Sequence, residues 1–231
     1  FLGIPFAAPP TDSLRWRPTQ EHRQWTDPVI ADNFPPMCPQ KEYKQGDTSY
    51  TIQGQEDCLY LNVWSPNLTG HYPVMVFIHG GGNQQGSTSG FLYNGKNLSE
   101  RGQVVVVTIQ YRLGALGFLV HPGLELENED GVSGNYAVMD QIMALKWVQN
   151  NISNFGGDNA NVTIFGESAG AVNVGNLLTT QRASGLFHKA IIESGGPIIN
   201  NHNLAKKDGI DYVNKFISDG TDSLKISYMR K

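Results

Sequence analysis

Short apolar runs punctuate the chain at Leu59–Trp64, Val74–His79, Val104–Gln110, Asn161–Phe165 and His188–Glu193. They are rich in β-branched residues and nearly continuous in hydrophobicity, as strands buried on both faces are. Longer stretches at Asn135–Asn150, Ala169–Leu178 and Leu204–Phe216 repeat apolar residues at helical spacing. In the first, Val138, Ile142, Leu145, Trp147 and Val148 make one broad apolar face. Strands alternating with helices predict an α/β architecture, with a mostly parallel sheet covered by helices on both faces. Chemistry is then expected at the carboxyl edge of the strands. The segment before this pattern, to about Pro39, is proline-rich and irregular, and its Trp16 and Trp25 are expected to pack on the core.

One strand runs straight into one helix with a serine between them. Asn161–Phe165 (NVTIF) is followed at once by Gly166-Glu167-Ser168-Ala169-Gly170 and then by a helix of small apolar residues. This G-x-S-x-G in a strand–turn–helix context has the form of a nucleophile elbow. Glycines two residues before and after the serine let strand and helix pass closely. The hydroxyl of Ser168 is thereby lifted clear of the sheet, with a helix N-terminus beneath it. Upstream, the buried strand ending at His79 enters Gly80-Gly81-Gly82. An acyl-transfer site needs N–H groups aimed at its oxyanion, and side-chain-free backbone after a strand can bring them close. In this arrangement the donors are the amides of Gly81, Gly82 and Ala169. His79 is expected to brace the loop rather than act as a base.

Composition changes the picture little. The 231 residues are 39% hydrophobic and 16% charged, with net charge −4 and no basic cluster, which gives no footing for nucleic acid. No apolar run approaches the roughly 20 residues that span a bilayer. The histidines after the serine are His188 and His202. His188 begins a strand and so belongs at the sheet edge opposite Ser168, which suits a structural role. Glu193 and His202 fall at the correct edge and stand as the alternative acid and base within the chain.

These motifs together resemble the type-B carboxylesterase and cholinesterase family. FGGDNANVTIFGESAG (155–170) has the form of the family's serine signature, and EDCLYLNVWSP (56–66) that of its second signature. GIPFAAPP, LRWRP, YRLGALGFL and DQIMALKWVQNNI carry the likeness along the chain. The resemblance implies an α/β-hydrolase fold and a serine carboxylic-ester hydrolase that works through an acyl-enzyme on Ser168, without metal or organic cofactor. Its partner would be a small-molecule carboxylic ester. Family members run to roughly twice this length, with the order serine, acid, histidine. Residues 1–231 are therefore expected to be the N-terminal part of the domain, inactive alone, with the triad acid and histidine beyond residue 231. Some relatives have lost catalysis and serve as adhesion or structural proteins, and this is the alternative reading.

The resemblance also implies a disulfide between Cys38 and Cys58 closing a loop at the rim of the active-site gorge. It implies ion pairs of Arg15 with Glu56 and Arg112 with Asp140, and a place for Glu167 at the base of the gorge. A disulfide points to an oxidising compartment: secreted, endomembrane lumen or cell surface. The N-x-S/T sequons at Asn67, Asn97 and Asn151 are candidate glycosylation sites, and a fourth at Asn161 leads into a strand. Choline-ester specialists carry a tryptophan in the disulfide loop for cation–π binding. That position falls near Thr48 here, with Tyr50 the aromatic close by, and Asn83-Gln84-Gln85 follows the glycines where an aromatic is usual. A general carboxylic ester, not acetylcholine, is the expected substrate.

Overall fold

A computed structural model describes residues 1–43, 48–90, 92–196 and 198–231. In chain order its elements are β1 (Ile4–Pro5), β2 (Gln40–Tyr43), β3 (Tyr50–Gln53), β4 (Tyr60–Trp64) and β5 (Tyr72–Ile78), then α1 (Lys96–Gly102) and β6 (Val105–Ile109). There follow α2 (Gly114–Phe118), α3 (Pro122–Glu125), α4 (Tyr136–Asn151), β7 (Gly157–Glu167), α5 (Ala169–Thr179), β8 (Lys189–Glu193), α6 (His202–Asn214) and α7 (Asp222–Met229).

The main sheet has the order β1-β4-β6-β5-β7-β8. β5, β6, β7 and β8 run parallel, while β1–β4 and β4–β6 pair antiparallel. Every residue of β6 is buried, and so are Val74, Val76 and Ile78 of β5, which explains their unbroken apolar runs. α4 seals one part of the sheet with Ala137, Ile142, Ala144, Leu145 and Val148, while Val138 and Trp147 of the expected face are only partly buried. α5 is built from small residues and lies directly on β7, where a larger helix surface could not approach. β8 is an edge strand, and its Ile191 and Ile192 are each 41% exposed.

A second apolar cluster of Trp16, Leu119, Leu124, Tyr136, Val213 and Ile226 joins the N-terminal arm to α3, α6 and α7. Arg15 clamps this junction: its guanidinium takes both oxygens of Glu56, at 2.7 and 2.6 Å, and donates to the Met229 carbonyl. Trp25 departs from expectation. It is 46% exposed and meets His22 edge-on at 5.7 Å, because the polar segment around it never reaches the sheet.

The ion pair of Arg112 with Asp140 is interior, with both side chains almost wholly excluded from solvent. Asp140 accepts from Arg112 N, Nε and Nη2 at 3.0, 2.8 and 2.8 Å, and also from the Thr19 hydroxyl. The guanidinium donates further to the carbonyls of Arg17 and Tyr136. A buried pair of this kind survives because nearly every donor and acceptor is used. It ties the turn after β6 to α4 and to the N-terminal arm.

Candidate active site

Ser168 is the N-cap of α5, at φ 55° and ψ −120°, a left-handed backbone that few non-glycine residues adopt. The sheet holds it there. The Ser168 amide donates to the Glu193 carbonyl of β8 at 2.9 Å, and its own carbonyl accepts from Val172 at 3.1 Å. The flanking glycines are obligatory on steric grounds. A Cβ on Gly166 would sit 2.6 Å from the Gly170 backbone, and one on Gly170 would sit 2.0 Å from the Ile78 carbonyl oxygen. Ser168 is half-buried, so its hydroxyl remains reachable. The Ala169 amide is among the first of α5 and has no acceptor within the helix, which leaves it free for an incoming anion.

The glycine loop runs alongside the elbow. A Cβ on Gly80 would lie 2.8 Å from the Glu167 carbonyl and 3.3 Å from Ser168 Cβ. Gly81, Gly82 and Asn83 follow at φ 105°, 64° and 56°, and the Gly81 carbonyl closes a turn by accepting from Gln84 and Gln85 at 3.1 Å each. Glu167, at the end of β7, is exposed beside this loop, with Oε2 3.1 Å from the same notional Gly80 Cβ. Its charge adds to burial in raising the Tyr93 phenol pKa.

His79 is fully buried under the loop. It stacks on Tyr111 at 4.4 Å, and its Nδ1–H donates to the Gly80 carbonyl at 2.8 Å. Burial pushes its pKa down to about 4, so the ring is neutral at physiological pH. Tyr111 in turn donates its hydroxyl to the His79 carbonyl at 2.7 Å.

All six histidines are engaged away from Ser168. His22 bonds the Arg23 carbonyl, His71 faces Asp158, and His121 Nδ1 accepts from the Gly123 amide. His188 fixes the entry to β8, with Nδ1 accepting from Val162 N at 3.1 Å. His202 opens α6 and pairs with Glu125 at 3.3 Å, so the alternative of Glu193 and His202 brings only the Glu193 backbone to the serine. Among the described residues, nothing hydrogen-bonds the Ser168 hydroxyl, and no group of side chains suits a metal.

Cys38 and Cys58 are joined by a disulfide, and β2 and β3 form a separate hairpin within the loop it closes. Tyr43, Tyr50 and Ile52 are exposed on it, and the Tyr50 ring is already faced by Lys41 at 4.1 Å. Gln40 links this loop to the site: it accepts from Gly86 N and donates to Gly86 O, both at 2.9 Å. Asn67 and Asn97 are exposed, whereas Asn151 is half-buried with its side-chain nitrogen donating to the Trp147 carbonyl at 2.8 Å.

Sequence reasoning overlooked Asn173, Tyr111 and Gln40, which hold the glycine loop from outside. Asn173 left a faint trace, one of two asparagines, with Asn176, in the largely apolar Ala169–Leu178 helix. Gln40 left none, being one polar residue in a polar segment.

A family model described as the carboxylesterase family matches residues 1–216. The chain is 50% identical over 198 residues to fumonisin B1 esterase of Sphingopyxis macrogoltabida, covering 85% of this chain and 36% of that protein. It is 43% identical over 229 residues to liver carboxylesterase 1 of Oryctolagus cuniculus, covering 91% of this chain and 39% of that protein. Among solved structures it resembles a PNB esterase with TM-score 0.86 and 38% identity, covering 100% of this chain and 46% of the other. The chain thus spans less than half the length of these proteins. The fold is that of the α/β-hydrolase esterases, present as part of the domain.

Proposed function

Because the chain belongs to the carboxylesterase family, we propose that it is the N-terminal part of a serine esterase that hydrolyses small carboxylic esters through an acyl-enzyme on Ser168. The observation that carries this reading is the strained Ser168, set on a strand–helix turn with the Gly80–Gly82 loop packed against it. Ser168 Oγ attacks the ester carbonyl, and the amides of Gly81, Gly82 and Ala169 take the charge that develops on its oxygen. A histidine oriented by an acid, both beyond residue 231, accepts the serine proton and returns it to the departing alcohol. Water then releases the acid from the acyl-enzyme by the same route. The engagement of all six histidines elsewhere supports a base outside this piece. Alone, these 231 residues should therefore show no turnover above background.

The relatives' names include fumonisin B1 esterase and liver carboxylesterase, so a general carboxylic ester is the substrate class we assign. The disulfide suits an oxidising compartment, with exposed Asn67 and Asn97 as the glycan positions. In the described residues no helix is long and apolar enough to cross a membrane. The test is labelling of the full-length protein with a fluorophosphonate. The adduct should map to Ser168 alone, and Ser168→Ala should lower kcat by roughly 10⁴ or more with the fold intact. Labelling at another serine, or near-normal turnover by the alanine variant, refutes the assignment.

A further inference from the structure

Asn173 is fully buried in α5, one and a half turns beyond the nucleophile. Its Nδ2 donates to Asn83 Oδ1 at 2.8 Å, across 90 residues of sequence. Asn83 directly follows the glycines, in the left-handed region at φ 56°, and its carbonyl accepts from Gly114 N at 2.7 Å. The Asn173 amide also lies near the Tyr111 phenol, the group that bonds the His79 carbonyl at the other end of the loop. One side chain on α5 thus bonds the residue that ends the glycine loop and lies beside the residue that bonds its start.

Packing does not explain the residue. Its neighbours Ala171, Val174 and Leu177 are all buried and apolar. The Asn173 Oδ1 is buried without a hydrogen-bond partner among the described residues. An amide with one atom unpaired is a poor filler for an apolar helix face. It is accounted for if its other atom has a task. The backbone at Gly81, Gly82 and Asn83 has positive φ throughout, and glycines resist collapse into other conformations weakly. Without an outside tie, the donor amides would wander from the direction the oxyanion requires.

We propose that Asn173 is a positioning residue for ester hydrolysis, fastening the glycine loop to the nucleophile's helix through Asn83 so that the oxyanion donors are aimed before substrate arrives. The inference rests on the serine-esterase reading above. Asn173 touches neither substrate nor reacting atoms, and its effect passes through the amides of Gly81 and Gly82. Losing a whole oxyanion donor costs about 10²–10³ in kcat, so loosening the loop that holds two should cost about tenfold or more.

The test is a double-mutant cycle in the full-length esterase, with Asn173→Ala, Asn83→Gly and the pair, on a p-nitrophenyl ester. Glycine is chosen at 83 because it tolerates positive φ. Each single variant should lower kcat about tenfold or more, leave KM within about twofold, and weaken a trifluoromethyl-ketone transition-state analogue in step with kcat/KM. The pair should be no worse than the poorer single, because both remove one interaction. A merely structural Asn173 would lower Tm and leave kcat and analogue affinity unchanged. That result, or multiplying losses in the pair, overturns the inference. If Asn173→Ala fails to fold, Asn83→Gly on the surface loop decides alone, by the same split between kcat and KM. Fluorophosphonate labelling of wild type separates the two readings. Ser168 labelled with multiplying losses defeats this inference only, while absence of both label and turnover defeats the esterase reading and this one with it.

Discussion

His79 offers the sharpest test of the physics around the glycine loop. Burial excludes its cation, pushing the pKa from the ordinary 6.5 to about 4, against a lesser opposing contribution from the Gly80 carbonyl. In the unfolded chain the ring titrates near 6.5. As pH falls below 6.5, the unfolded state takes up a proton that the folded state refuses. Stability is therefore lost on the acid side, at up to about 1.4 kcal/mol per pH unit, until the folded ring protonates near pH 4. Between about pH 7.5 and pH 4.5 the loss from this one residue is about 2.5 kcal/mol. Above pH 7 it contributes no pH dependence.

The assay compares wild type with His79→Gln by thermal unfolding at both pH values. Other titrating groups, including buried His121 with its lowered pKa, are common to the two proteins and cancel in the difference. For a chain of this size about 1 kcal/mol moves Tm by roughly 2–4 °C. Wild type should therefore lose about 5–10 °C more than the variant on acidification. An imidazole titration followed by NMR gives the independent check, with a midpoint near 4. A midpoint near 6.5, or parallel pH responses in the two proteins, refutes the argument that burial controls this ring.

Two further predictions concern stability. Gly170→Val should abolish soluble expression, because the first added carbon would already lie 2.0 Å from the Ile78 carbonyl oxygen and 2.9 Å from that of His79; recovery of normally folded variant protein would contradict this. Asp140→Ala leaves the Arg112 guanidinium buried without its carboxylate and should cost about 3–5 kcal/mol, whereas an apolar pair, Arg112→Met with Asp140→Leu, should recover most of that loss in urea unfolding.

What the sequence disclosed follows from what burial does to composition. β5, β6 and the end of β7 carry most of their residues inside, so their apolar runs are nearly continuous and their positions readable. The elbow was readable because its glycines are sterically compelled. The β2–β3 hairpin was invisible: seven of its eight paired residues are exposed, so no alternation marks it. α1, α2 and α3 run only seven, five and four residues, too short for a helical period to show. β7 begins at Gly157, before its apolar run, because Tyr72 pairs with Gly157 across a register shift. Trp25 misled for the opposite reason, since a large apolar residue need not be buried when its segment stays on the surface.

On the proposed esterase reading, the glycine loop shows why donors can be read where their supports cannot. Amides that must approach a substrate need residues without side chains, and that requirement is written locally as Gly80-Gly81-Gly82. The same absence of side chains leaves the loop only its own backbone turn at Gly81, with no side-chain tie from the glycines. Its order must be imposed by residues elsewhere: Gln40 on Gly86 from 46 positions away, Tyr111 on the His79 carbonyl from 32, Asn173 on Asn83 from 90. Each belongs to a different part of the fold, namely the disulfide loop, the end of β6 and α5. Preorganised donors accelerate acyl transfer because they need not reorient as charge develops. The loop's aim is thus a property of the assembled sheet and helices, and damage to it should arise from positions distant in sequence as readily as from the glycines themselves.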